Sequence, residues 1–221
     1  MAKMFKVFNT SWIKNEKVLD PVELIPKRIS KFHSLSYFNL VCFMTMVILW
    51  GLLSTETLAS QSDKRLDPLF KRLQATLSKV EAQSIEMTIW RIWVESDQDK
   101  VNNLMNSGIA AMGNLDYATA LKVFDKMVAI APHFAEGWNK RATIHYLQKD
   151  FAASIKDIKR TLNLEPRHFG ALSGLGLVLM EMEQYDSALR AFKDALKVNP
   201  HLRGAKANVD ALRKLLGNVQ I

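Results

Sequence analysis

Three prolines stand at one fixed interval in this chain. Pro132, Pro166 and Pro200 are equally spaced, and each lies near the end of a block of the same length. The blocks are 101–134, 135–168 and 169–202. In register they read VNNLMNSGIAAMGNLDYATALKVFDKMVAIAPHF, AEGWNKRATIHYLQKDFAASIKDIKRTLNLEPRH and FGALSGLGLVLMEMEQYDSALRAFKDALKVNPHL. A self-similar period of this size marks a stacked repeat, in which each unit buries its apolar face on its neighbour. Each block divides into two apolar-periodic stretches of helical length, joined at Gly113-Asn114-Leu115-Asp116, Gln148-Lys149-Asp150 or Glu183-Gln184. Proline then ends the second helix and holds the residue before it in an extended conformation.

These positions resemble the tetratricopeptide repeat, a family whose pattern places large apolar, small, aromatic and proline residues at fixed offsets. The first block matches at Leu104, Gly108, Tyr117, Ala120, Phe124 and Pro132. The second matches at Trp138, Ala142, Phe151 and Pro166, with Ser154 and Ile158 in the small and aromatic slots. The third matches at Leu172, Leu175, Gly176, Tyr185, Ala188, Phe192, Ala195 and Pro200. Two residues of the middle block depart from the pattern: Arg141 stands at a usually apolar site and His145 at a usually aromatic one. The resemblance implies an all-α fold, an α-α superhelix (a solenoid of three repeats). An apolar-faced helix over Arg203–Leu216 would close the stack. With an export segment ahead of three repeats, the chain is similar to short exported members of the family in alphaproteobacteria.

The resemblance also implies a concave groove lined by the first helix of each repeat. Helical projection assigns Asn102, Met105, Asn106 and Ile109 to it from the first block. The second block supplies Asn139, Lys140, Thr143 and Tyr146, and the third Ser173, Leu177 and Met180. Asparagine, lysine and tyrosine there would hydrogen-bond an extended peptide, and Met and Leu would take its apolar side chains. One subfamily grips a chaperone's terminal carboxylate with Lys and Asn. Here those sites hold Met105, Ile109, Gly170 and Gly174, so that clamp is absent.

Ahead of the repeats, residues 1–36 carry seven Lys/Arg against three Asp/Glu and read as a basic cytoplasmic tail. Ser34 to Thr55 contains no charged residue. A helix over that stretch spans about 33 Å, enough for a hydrocarbon core of about 30 Å. Basic residues before this stretch and Glu56 after it predict that the N-terminus stays inside and the rest is exported. Two readings stay open. Residues 37–55 are an uncleaved single-pass anchor in a bacterial inner membrane, or 37–59 are a signal peptide cut near Ala59, releasing the remainder to the periplasm. Cys42 lies inside the apolar run rather than at its end, which excludes a lipoprotein site.

Residues 60–100 read as a capping helical pair and linker. Asp67-Pro68 is a helix-start signal, with Leu69, Leu73 and Leu77 recurring at every fourth position after it. Ile85, Ile89 and Ile92 form a second stripe beside Trp90 and Trp93, which are expected to cover the open end of the stack. A partner groove or a membrane-surface belt is the functional alternative for the tryptophans.

The net charge of +8 is spread over mixed-sign segments and excludes a nucleic-acid groove. No phosphate loop, HExxH, zinc spacing or nucleophile elbow is present. His133, His168 and His201 recur after the prolines, but neighbouring loops lie roughly 8–10 Å apart. That spacing is too wide for three ligands at about 2.0–2.1 Å from one zinc ion. The reading is therefore a non-enzymatic scaffold with no cofactor and no metal, binding a protein or peptide partner. Self-association into a homo-oligomer is compatible with it. The alternatives are an envelope-complex assembly factor acting through its convex face, or an accessory subunit of an envelope enzyme.

Overall fold

The computed structural model describes residues 63–219, all within one unit of the chain, Glu56–Ile221. The basic tail, the apolar stretch 37–55 and the cleavage site near Ala59 lie outside the described residues. Among the described residues there are helices and no strands. A hairpin of α1 (Leu66–Ala75) and α2 (Lys79–Val94) precedes three helix pairs. These are α3 (Asp99–Gly113) with α4 (Tyr117–Ile130), α5 (Ala135–Leu147) with α6 (Phe151–Leu164), and α7 (Phe169–Glu181) with α8 (Tyr185–Val198). The closing helix α9 (Arg203–Val219) packs on α8. None of these helices is long and apolar enough to cross a membrane.

The period of the sequence reappears in the backbone. Each turn inside a repeat places one non-glycine residue in the left-handed region: Leu115 at φ 59°, Lys149 at 62° and Glu183 at 58°. The next amide reaches back across the turn, from Asp116 N to Ala111 O, Asp150 N to His145 O and Gln184 N to Leu179 O. Those bonds satisfy carbonyls that a helix end leaves open. Asp116 and Asp150 then cap the second helices, accepting from the Thr119 and Ala153 amides at 3.0 Å. Before each proline the backbone leaves the helix, at Ala131, Glu165 and Asn199.

The helices of one repeat cross where a small residue meets a large one. A Cβ on Gly108 would overlap the Phe124 ring, and one on Gly176 would lie 2.6 Å from Phe192. In the middle repeat the pair is Ala142 and Ile158, so a larger residue on one helix is matched by a smaller one on the other. Ala120, Ser154 and Ala188, which share one slot of the three blocks, are fully buried. Ser154 can be polar there because its hydroxyl donates to the Ala142 carbonyl at 2.9 Å.

The N-terminal hairpin departs from expectation in three ways. First, α1 begins at Leu66 without a side-chain cap, and Asp67 sits in its first turn, where its carboxylate pairs with Arg167 at 2.6 Å. Second, α1 ends at Ala75, so Leu77 does not extend the Leu69 and Leu73 stripe and is 97% exposed. Ser78 starts α2 by accepting from the Glu81 amide. Third, the tryptophans do not cover the end of the stack. Trp93 stacks on His168, with centroids 4.1 Å apart and planes at 11°, and both tryptophans pack on Phe169. The isoleucine stripe is buried as expected, in a cluster that Phe169, Val198 and Leu202 complete. The hairpin thus lies on the flank of the second and third repeats, and Val94 reaches the first repeat's core.

Candidate binding groove

Among the first helices of the repeats, α5 touches α7 directly, and it also touches α2. By the resemblance to this kind of repeat, α3, α5 and α7 are the helices that line the inner face of the stack. Six of the expected groove residues remain accessible there. Asn106 and Ile109 are exposed on α3, Thr143 and Tyr146 are half-buried on α5, and Ser173 and Leu177 lie half-buried and exposed on α7. Thr143 spends its hydroxyl proton on the Asn139 carbonyl at 2.9 Å. Burial and the nearby Glu181 carboxylate hold the Tyr146 hydroxyl above its ordinary range, so it is neutral and free to donate.

The others are engaged elsewhere. Met105 is 2% exposed and belongs to the first repeat's core with Phe134 and Ile144, which corrects its assignment to a ligand face. Met180 is half-buried against the core that the third repeat shares with α9. Asn102 clips the linker after α2, accepting from the Ser96 amide and donating to the Ser96 carbonyl, both at 2.8 Å. Asn139 is buried and donates to Glu136 at 3.0 Å. Lys140 pairs with Glu136 at 2.9 Å and lies over the Trp90 ring at 5.6 Å, with its side chain 22% exposed.

Glu136 is the centre of this buried node. Burial alone would raise its pKa; the Lys140 ammonium and the His168 hydrogen bond outweigh that and hold it below the usual carboxylate range. His168 Nδ1 accepts from the Ala171 amide as the cap of α7, so Nε2 carries the proton and donates to Glu136 at 2.8 Å. At the corresponding place the other blocks carry Phe134 and Leu202. Trp90 can lie against the start of α7 because residue 170 is glycine; a Cβ there would meet its ring at 2.5 Å. His168 is therefore a structural residue, not a loop histidine exposed to solvent.

The two irregular residues of the middle block also form one system. Arg141 makes a two-pronged pair with the buried Asp157, at 2.7 and 2.8 Å, and reaches Asp125 at 2.8 Å. His145 stands 3.8 Å from Asp157. An ion pair joins α5 to α6 where the family pattern has apolar contact, and Arg141 stacks 4.8 Å from the Trp138 ring centroid.

Beyond the node the inner face opens into a pocket of about 940 Å³ between α2, α7 and the start of α9. Ser173 and Leu177, two of the residues assigned to the groove, line it. Lys79, Glu86, Arg203 and Lys206 line it too, and sequence projection missed all four. They lie outside the three blocks, so the repeat register could not have found them.

Residues 113–195 match the family model "Anaphase-promoting complex, cyclosome, subunit 3". A TPR repeat-containing protein of Rhizobium etli is 37% identical over 162 residues, which cover 72% of this chain and 79% of that one. Among solved structures, the Sgt2 TPR domain from Aspergillus fumigatus has a TM-score of 0.53 at 20% identity, covering 56% of this chain and 83% of that domain. The first TPR of Spaghetti (RPAP3), bound to HSP90 peptide SRMEEVD, has a TM-score of 0.53 at 19% identity, covering 55% and 96%. With helix pairs, turns and crossing contacts that recur from block to block, and with that Rhizobium relative, the chain belongs to the tetratricopeptide-repeat family.

Proposed function

We propose that this chain is a non-enzymatic scaffold that binds a segment of a partner protein along its inner face. The observation that carries this is the accessible strip Asn106, Ile109, Thr143, Tyr146, Ser173 and Leu177. It alternates hydrogen-bonding and apolar side chains over three repeats and leads into the pocket. An extended peptide needs both kinds of contact. The similar Spaghetti domain holding an HSP90 peptide supports the mode of binding, not the identity of the partner. The test is a photo-crosslinking residue placed at Tyr146 or Leu177 and, separately, at Lys122 or Lys193 on second helices, in living cells. Adducts to one protein from the inner positions alone are expected. Adducts from the second-helix positions alone would favour the convex-face assembly role instead.

The scaffold works in this proposal on the periplasmic side of a bacterial inner membrane. The charge-free stretch Ser34–Thr55 and the basic tail before it support that reading. A periplasm-active reporter fused after Ile221 should be active; activity of a cytoplasm-only reporter there would refute export. The mass of the mature chain separates an anchor from a cleaved leader, since cleavage after Ala59 leaves a chain starting at Ser60.

A further inference from the structure

The pocket at the end of the inner face has a charge pattern of its own. Three cations line it: Lys79 from α2, and Arg203 and Lys206 from the start of α9. No ion pair involves any of the three among the described residues, so their charge in the pocket is not offset by a salt bridge. The single lining carboxylate is Glu86, and it already accepts from Asn199 at 3.1 Å. His201 also lines the pocket, and its Nε2 is buried without a hydrogen-bond partner. A buried polar nitrogen left unmatched is costly unless something brought in satisfies it. Leu177 and Met87 add apolar surface at the same place, both exposed.

We infer that this pocket receives an acidic segment of the partner protein, its carboxylates on Lys79, Arg203 and Lys206 and an apolar side chain against Leu177 and Met87. The inference rests on the scaffold reading above and adds the chemistry of the segment. Like-signed cations around one cleft raise the local concentration of a negative ligand and select against a positive one. At about 940 Å³ the space lies near the top of the roughly 300–1,000 Å³ range of ligand pockets, room for a few residues in extended form. Two of the three cations come from the closing helix and one from the N-terminal hairpin. The site is thus assembled by elements that the repeats merely hold apart.

The probe is a fluorescein-labelled decapeptide with four glutamates around one leucine, read by polarisation against the full chain in detergent micelles. Two comparison peptides carry glutamine or lysine in place of glutamate. The glutamate peptide alone should bind saturably, and binding should weaken with salt. Lys79→Glu, and Arg203→Glu with Lys206→Glu, should each weaken it about tenfold or more. Lys122→Glu with Lys126→Glu, exposed on α4, should leave it unchanged. Thermal melts of each variant show that the fold is retained. Equal binding of the glutamine peptide, or no loss in the pocket variants, would overturn the assignment. So would a concentration-dependent dimer that Lys79→Glu abolishes, since a second copy would then fill the pocket. If inner-face crosslinks capture a partner while the acidic peptide fails to bind, the scaffold reading stands and this one falls.

Discussion

Gly108 and Gly176 show how tightly single residues are specified. Each sits under a phenylalanine with no room for one more carbon. Gly176→Ala should cost about 1–3 kcal/mol by overpacking, measured as a lower urea midpoint with an unchanged slope. Ile158→Phe should cost a similar amount against Ala142, and Ala142→Gly in the same chain should recover much of it. Strict additivity of those two changes would show that the crossing contact is not what couples them. The left-handed turn residues point the other way. Glu183 at φ 58° carries a backbone cost that glycine avoids. Glu183→Gly should therefore gain up to about 1 kcal/mol, raising Tm by about 2–4 °C for a chain of this size. An unchanged or lower Tm would contradict it.

Glu136 adds a prediction in pH. Its folded pKa is depressed, so the stability it contributes is present above the unfolded value near 4.5 and is lost as pH falls through the folded value. Glu136→Gln should lower stability at neutral pH and flatten the decline below about pH 4.5, the ordinary value for this side chain. Parallel stability-against-pH curves for the two proteins would rule that out. The buried node also changes how groove mutants are chosen. Asn139→Ala would strip a hydrogen bond from a buried carboxylate, so loss of a partner in that variant would not isolate the inner face. Ser173 and Tyr146 are cleaner positions.

At the scale of elements, the hairpin α1–α2 is the part with no repeat to specify it. Its hold on the repeats is mostly apolar: Phe70, Ile89, Ile92 and Trp93 are buried with Phe169. Polar contacts fix its register, through Asp67 to Arg167, Gln74 Nε2 to the Lys197 carbonyl at 3.2 Å, and Asn199 to Glu86. Arg167 lies 4.5 Å from the Phe70 ring centroid, a cation–π contact in the same seam. Trp93→Ala should cost about 3–5 kcal/mol, as for other buried aromatics. A loss under about 1 kcal/mol would mean that the hairpin is only loosely docked.

Over the whole molecule, stability in a stack of repeats is close to a sum of units and neighbour contacts. The third repeat has the second on one side, α9 on the other and the hairpin along its flank. The first has one repeat neighbour and the end of α2. Hydrogen exchange should therefore be faster in α3 and α4 than in α7 and α8. Trp93→Ala should narrow the difference by loosening α7; protection unchanged at residues 169–178 would refute that role for the hairpin.

The sequence by itself determined everything that recurs from block to block: the helix pairs, the turns and the small-on-large crossings, with the closing helix that follows them. Those contacts join residues of one block or of adjacent blocks, so their spacing along the chain is their geometry. The tertiary structure alone decided what does not recur. It placed Trp93 on His168, at the far end of the second block, buried Met105 and Asn139, and set Lys79 and Arg203 in the lining of one pocket. No local period encodes where a hairpin used once will dock. That depends on which apolar surface is still uncovered after the repeats have stacked, a property of the assembled molecule rather than of any stretch of it.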